Sequence, residues 1–355
     1  MKILHSADWH LDAPMTGHSE ENQQSLRREL RKIPEKVVKL CMSEGCDLLL
    51  LAGDLFDGKA SRESLTAVRT ALEKVQIPVV ITPGNHDFCS PGSPYLTQDW
   101  PKNVHIFTKA KIDSIVLPEL DCRIYGAGYE SMDCPGLLKN FHIEGGERWH
   151  IGVLHGEISA ASSYCPMTRE QIRQTGLHYL ALGHIHKGGS LRADETLCAW
   201  PGCTMGRGFD ELGAKGVIIA ELTDSVKASF VPLDTPRFYD EAAEAGDDPL
   251  EAVASILPAI DSSDFYRVTL TGYANGVDLA QIRKQFPHIP NLILRDETLP
   301  EPDLWSVAGE DSLEGTYFQL LKNSADSDSE TIRRRARLAA RISRQILDGQ
   351  EVVLP

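Results

Sequence analysis

The chain has 355 residues, 42% of them hydrophobic, and a formal net charge of −15. That length supplies one large core and one or two smaller ones, since domains usually run about 100–200 residues, and no apolar run approaches the roughly 20 residues of a membrane-spanning helix. The acidic balance weighs against a protein that grips nucleic acid over a broad surface, because duplex affinity rests on Lys and Arg neutralising phosphates.

Residues 1–236 alternate strand-like and helix-like segments, which predicts a layered α/β domain. A strand is expected at 2–7, a mainly helical stretch at 21–43 and a strand at 47–52. A helix follows at 62–75, with Leu65, Val68, Leu72 and Val75 on one face, and then a strand at 77–82. Further strands are expected at 123–126, 149–154, 178–182 and 216–222. Pro232, Pro236 and the acidic run Asp240, Glu241, Glu244, Asp247, Asp248 and Glu251 close this domain.

A strand at 265–271, a helix at 279–285 and a strand at 291–295 then make a small α/β domain over 237–300. Residues 301–355 read as an acidic linker and a C-terminal helix at 331–347. That helix has Ile332, Leu338, Ile342 and Ile346 on one stripe, with Arg333, Arg334, Arg335, Arg337, Arg341 and Arg344 around it. It packs on the chain's own acidic residues, docks on a partner, or touches nucleic acid. The cations Arg267, Arg283, Lys284, His288 and Arg295 of the small domain are either phosphate contacts or ordinary surface. All eight cysteines lie between Cys41 and Cys203 with no Cys-x-x-Cys pair, so they read as small buried hydrophobes. Residues 1–9 show no secretory signal, and a cytoplasmic location is expected.

Five segments put Asp, His or Asn directly after a strand, where open α/β sheets build their sites. They are Asp8-Trp9-His10, Gly53-Asp54-Leu55-Phe56-Asp57, Gly84-Asn85-His86-Asp87, His155-Gly156-Glu157 and Gly183-His184-Ile185-His186. Alternation along an extended backbone places Asp8 with His10, and His184 with His186, on one side. Carboxylate, imidazole and amide oxygen together suit borderline divalent cations such as manganese, iron or zinc. A lone Asp-x-His carries little weight, but five such segments in this order, each at a strand end, point to a metal centre.

This ordered set resembles the signature of the calcineurin-like metallophosphoesterases, over about residues 1–235. The start, His5-Ser6-Ala7-Asp8-Trp9-His10-Leu11-Asp12-Ala13-Pro14, is similar to the DNA-repair nuclease branch of SbcD-like and YhaO-like proteins. So are Trp200-Pro201-Gly202 and Gly206-Arg207-Gly208-Phe209-Asp210-Glu211. The resemblance implies a sandwich of two β-sheets flanked by helices, with the small α/β domain as a cap and a C-terminal helical segment. It implies two divalent metal ions, manganese first, with iron or zinc as alternatives. Asp8, His10 and His186 hold one ion, Asn85, His155 and His184 the other, and Asp54 bridges them. His86 is the catalytic histidine with Asp87 as its orienting partner, Asp57 either supports the metal shell or caps a turn, and Arg207 contacts a phosphate. The implied function is a manganese-dependent DNA exonuclease or endonuclease in repair, working with an SMC-type ATPase and as a homodimer. The alternative is a phosphodiesterase or phosphatase on nucleotides or other small phosphoesters, which an acidic surface tolerates. A third reading, a scaffold for the ATPase, has no need of the full ligand set.

Overall fold

Four consecutive leucines, Leu48–Leu51, are buried along the whole of one strand, the pattern of a parallel strand covered on both faces. Around it the computed structural model, which describes residues 1–159, 161–300, 303–349 and 352, builds two units, Met1–Tyr239 and Asp240–Pro355. The expected border at residue 301 and most of the chain's last six residues lie outside the described residues.

In chain order the first unit holds β1 (Lys2–Ser6), α1 (Glu20–Leu30), α2 (Ile33–Ser43), β2 (Leu48–Leu51), α3 (Arg62–Glu73), β3 (Val79–Ile81) and α4 (Pro94–Thr97). Then come β4 (Val104–Ile106), β5 (Asp113–Leu117), β6 (Cys122–Gly126), β7 (Trp149–His155) and α5 (Arg169–Thr175). It closes with β8 (Tyr179–Gly183), β9 (Gly189–Ala193), β10 (Thr196–Trp200), β11 (Gly216–Leu222) and β12 (Val226–Pro232). Two six-stranded sheets result, ordered β12-β11-β1-β2-β3-β4 and β5-β6-β7-β8-β10-β9.

The core lies between them, with Ile3, Leu48, Leu50, Val80 and Ile218 of one sheet against Ile124, Ile151, Val153, Tyr179 and Ala199 of the other. The alternate side chains Leu4, Leu49 and Leu51 point to the opposite face and are equally buried, as are Leu26, Leu30, Val37 and Leu72 of α1–α3. This is the expected sandwich of two sheets flanked by helices. The helical stretch 21–43 is two helices rather than one. Pro34 stands in the first turn of α2, where its missing N–H costs nothing, whereas inside a continuous helix it would clash with the preceding turn.

Topology gathers the site at one end. Strands β1, β2 and β3 run parallel in the first sheet and β6, β7 and β8 in the second, so the loops leaving β1, β2, β3, β7 and β8 meet there.

The second unit begins within β13 (Phe238–Glu244) and contains α6 (Pro249–Ala254), β14 (Phe265–Thr271), α7 (Leu279–Lys284), β15 (Leu292–Asp296), α8 (Leu313–Ala325) and α9 (Glu330–Leu347). Its sheet is ordered β13-β14-β15, with β14 and β15 parallel. The stretch expected to be an acidic linker contains α8, capped by the Ser312 hydroxyl on Gly315 N and anchored by fully buried Phe318, which clusters with Leu304 and Ala340. The arginines of α9 pair with acidic residues of the same unit: Arg337 with Asp247 at 3.1 Å, Arg344 with Glu314 at 3.2 Å and Arg334 with Glu330 at 2.8 Å. Arg341 lies 4.3 Å over the Tyr273 ring. Arg267 pairs with Asp240, and Arg283 donates to the carbonyls of Phe286, Ile289 and Pro290. Packing within the unit therefore accounts for these cations. All eight cysteines are free and buried, and no described helix is long and apolar enough to cross a membrane.

His5, fully buried in β1, lies with Nδ1 2.9 Å from the Tyr179 hydroxyl. Burial lowers its pKa to about 3. Between that value and the unfolded value near 6.5 only the unfolded chain binds the proton, so stability falls as pH drops through this window, by about 1.4 kcal/mol per pH unit at most. Urea unfolding at pH 7 and pH 5 is expected to show a smaller loss for His5→Gln than for the unsubstituted chain. Equal losses would show that His5 titrates as freely in the folded state as in the unfolded one.

Candidate metal centre

The loops after β1 and β2 interlock through their backbones: Asp8 N donates to Gly53 O at 3.0 Å, His10 N to Asp54 O at 2.9 Å and Leu11 N to Leu55 O at 3.0 Å. Asp57 N returns a bond to Leu11 O at 2.8 Å. Asp8, His10, Asp54 and His184 all have positive φ, at 52°, 48°, 51° and 90°. This corrects the strand-alternation expectation: β1 ends at Ser6, and left-handed turns, not an extended backbone, aim Asp8 and His10 together. Each such residue stores roughly 1–3 kcal/mol of strain, held by the surrounding packing. Two glycines clear the space. A Cβ on Gly53 would fall 2.3 Å from His155 Nδ1, and one on Gly84 would fall 2.3 Å from Asp54 Oδ1.

The seven ligand candidates come together. Side-chain donors of Asp8, His10 and His186 lie within 4.8 Å of one another, as do those of Asp8, Asp54 and His155, and those of His10, Asp54 and His86. Asn85 Oδ1 lies 3.0 Å from His155 Nε2 and 3.2 Å from His184 Nδ1. Asp54 stands between the two sets, its Oδ2 at 3.2 Å from His155 Nε2 and 3.7 Å from His10 Nε2, while its Oδ1 accepts from His86 N at 2.9 Å. The rings are aimed from behind. His155 Nδ1 donates to Ala52 O at 2.9 Å, and His186 Nδ1 to Glu211 Oε1 at 2.7 Å. Each proton is thereby placed on Nδ1, and Nε2 offers a lone pair to the centre.

The donor set fits divalent cations. Asp8 Oδ1 accepts from His184 N at 3.0 Å, but Oδ2 is buried with no hydrogen-bond partner, and a carboxylate oxygen left so is costly unless a cation meets it. Burial pushes the Asp8 carboxyl up to about 6. Burial acts likewise on Asp54, yet the adjacent His155 holds it well below the usual carboxylate range. His155 in turn rises to about 10 because Asp54 outweighs the burial that would lower it. Asp54 and His155 are thus the interacting acid and base at the middle of the cluster, Oδ2 to Nε2 at 3.2 Å. Nitrogen and oxygen donors without thiolate favour manganese, iron or zinc over calcium.

His86 corrects a second expectation. Its Nδ1 lies 2.7 Å from Asp57 Oδ1, so Asp57, not Asp87, orients it. Asp87 is buried and fully engaged: it accepts from Leu55 N at 2.7 Å, Phe56 N at 3.2 Å, Gly84 N at 2.7 Å and the Tyr95 hydroxyl at 2.5 Å. It ties the β2 and β3 loops together. The hydrogen bond His86 donates to Asp57 raises its pKa against partial burial, and the side chain keeps 40% of its surface open.

Arg207 donates to Glu211 through Nε at 3.1 Å and Nη2 at 2.7 Å, leaving Nη1 3.9 Å from Asp57 Oδ2. Glu211, the buried carboxylate behind His186, was not among the expected site residues. Its signal was the Arg207/Glu211 spacing inside a glycine-rich loop.

A family model described as calcineurin-like phosphoesterase matches residues 1–188. The uncharacterized metallophosphoesterase YhaO of Bacillus subtilis is 32% identical over 241 residues, covering 63% of this chain and only 58% of that protein. The SbcD component of the nuclease SbcCD from Staphylococcus epidermidis is 22% identical over 335 residues, covering 81% of this chain and 84% of that one. A dimetal phosphatase from Danio rerio aligns at 14% identity with a TM-score of 0.43, over 64% of this chain and 95% of that one.

Glu211→Gln preserves shape and removes the charge that holds the His186 ring. Calorimetric titration with manganese is expected to show affinity about 10–100-fold weaker. Unchanged affinity would mean that Glu211 serves Arg207 alone.

Proposed function

This chain belongs to the calcineurin-like phosphoesterase family, and from that premise we propose that it is a manganese-dependent phosphodiesterase whose substrate is DNA. The observation that carries the hydrolytic reading is the pairing of a buried Asp and His donor cluster with His86, whose donor atom lies within 4.8 Å of those of His10 and Asp54 and whose Nδ1 is already held by Asp57. In this reading Asp8, His10 and His186 hold one cation, Asn85, His155 and His184 the other, and Asp54 both. The chemistry two bound cations supply is activation of water and neutralisation of a phosphoryl group.

The remaining steps belong to the chain's own side chains. His86, with Nδ1 on Asp57, is the side chain placed to give a proton to the departing alkoxide, and its hydrogen bond to Asp57 raises its pKa. Asp57 fixes the ring and balances its charge. Arg207 offers Nη1 to a phosphate oxygen, its other donors being committed to Glu211. Asp87 contributes by keeping the β2 and β3 loops in register.

Similarity to a nuclease component over 84% of that protein's length supports DNA as the substrate, with a role in repair. With that reading comes what the resemblance to SbcD-like nucleases implies, an SMC-type ATPase as partner and a homodimer. The eight free cysteines fit a reducing compartment such as the cytoplasm. The net charge of −15 favours a second reading, a phosphodiesterase or phosphatase on nucleotides or other small phosphoesters.

The test is hydrolysis of a labelled linear duplex and of bis-p-nitrophenyl phosphate with added manganese. Both are expected to be cleaved, and His86→Ala is expected to lower kcat about 10²–10⁴-fold while manganese affinity, measured by calorimetry, is retained. Cleavage of the small ester alone moves the assignment to the second reading. Cleavage of neither contradicts both.

A further inference from the structure

Beside the His186 loop lies a cleft of about 390 Å³ that none of the ligand candidates lines. Its walls include Lys187, Trp200, Leu212, Lys215 and Phe230, all within the first unit. The loop that carries His186 is shared between the two sites. His186 O accepts from Cys203 N at 3.2 Å, which lays the chain after His186 along the Trp200–Cys203 segment. One residue aims its ring at the metal centre, and the next, Lys187, faces the cleft. The other flank repeats the arrangement, with Glu211 holding His186 and the adjoining Leu212 lining the cleft.

The lining has a definite chemistry. Phe230 and Leu212 are 47% and 45% exposed, so the cleft presents open apolar surface. Trp200, also on the lining, packs with Leu154 and Leu182 and is fixed by its Nε1 bond to Gly156 O at 3.1 Å. Neither Lys187 nor Lys215 has an ion-pair partner among the described residues, although the chain carries 51 acidic residues against 36 basic ones. An open aromatic face with unpaired ammonium groups beside it is how proteins hold an unpaired base and its flanking phosphate. The volume lies within the range of small-ligand sites. Gly189, three residues beyond His186, is at most about 11 Å along the chain from it, which brings that rim of the cleft close to the metal centre.

We propose that this cleft is a subsite for an unstacked nucleotide next to the scissile bond, and that the chain therefore engages single-stranded or frayed ends. The base lies against Phe230 and Leu212, and Lys187 and Lys215 take the flanking phosphate. A fully paired duplex keeps its bases stacked and must unpair to fill the site. This inference rests on the DNA-cleaving reading above and adds to it the form of the strand.

The experiment separates the two. Binding of a fluorescein-labelled oligothymidylate to the metal-free full chain in EDTA is followed by anisotropy, alongside a blunt duplex competitor. Phe230→Ala is expected to weaken binding about 10-fold, and Phe230→Trp to restore it. The pair Lys187→Ala with Lys215→Ala is expected to weaken binding and flatten its salt dependence, and the duplex to compete poorly. Oligothymidylate binding by Phe230→Ala at unsubstituted strength, or a folded Phe230→Trp that binds no better than Phe230→Ala, overturns the subsite. Oligothymidylate that is bound through Phe230 but never cleaved with manganese leaves the subsite standing and overturns the nuclease reading.

Discussion

The first unit's site depends on one buried carboxylate. Asp54 sits at the end of a strand whose every residue is buried, and its two oxygens face different tasks. Oδ1 accepts from His86 N and so sets the β3 loop, while Oδ2 stands between His10 and His155. A negative charge at that depth is tolerated only where positive charge meets it. His155 and His10 flank it at 3.2 and 3.7 Å, and the donor cluster is arranged so that cations can meet that charge.

Around that carboxylate the same device recurs three times. His155 is held from behind by Ala52 O, His186 by Glu211 and His86 by Asp57, each through Nδ1, so each ring turns its Nε2 outward. What differs is exposure: the His155 side chain is fully buried, whereas those of His186 and His86 keep 31% and 40% of their surface open. Backbone strain at Asp8, His10, Asp54 and His184 is the cost of convergence, and the bonds between the β1, β2 and β3 loops hold it in place. Arg207 links the second and third rings electrostatically, with Glu211 on one side and Asp57 on the other.

Much of this was legible in the sequence because apolar strands end abruptly in polar residues. The runs before Asp54, His155 and His184 mark strand ends unambiguously, so the ligand loops could be placed before their geometry was known. Geometry was harder. The period-two rule stops applying at Ser6, and the left-handed turns that aim Asp8 and His10 leave no mark in residue types. Adjacency misled at Asp87: neighbouring side chains diverge, and Asp57, from a different loop, is the one that reaches His86. Glu211 was hidden because a loop carboxylate acquires its role only when the chain brings it under His186. In the second unit, α8 was concealed by its acidic flanks, and three of the six α9 arginines face acidic partners of their own unit.

The net negative charge and a phosphate substrate are compatible where the acids are concentrated at the centre and offset there by bound cations. The most direct check of that central claim is anomalous scattering at the manganese edge from crystals grown with manganese. Two sites sharing Asp54 are expected, one contacted by Asp8, His10 and His186 and the other by Asn85, His155 and His184. A single site, or manganese bound away from Asp54, would contradict it.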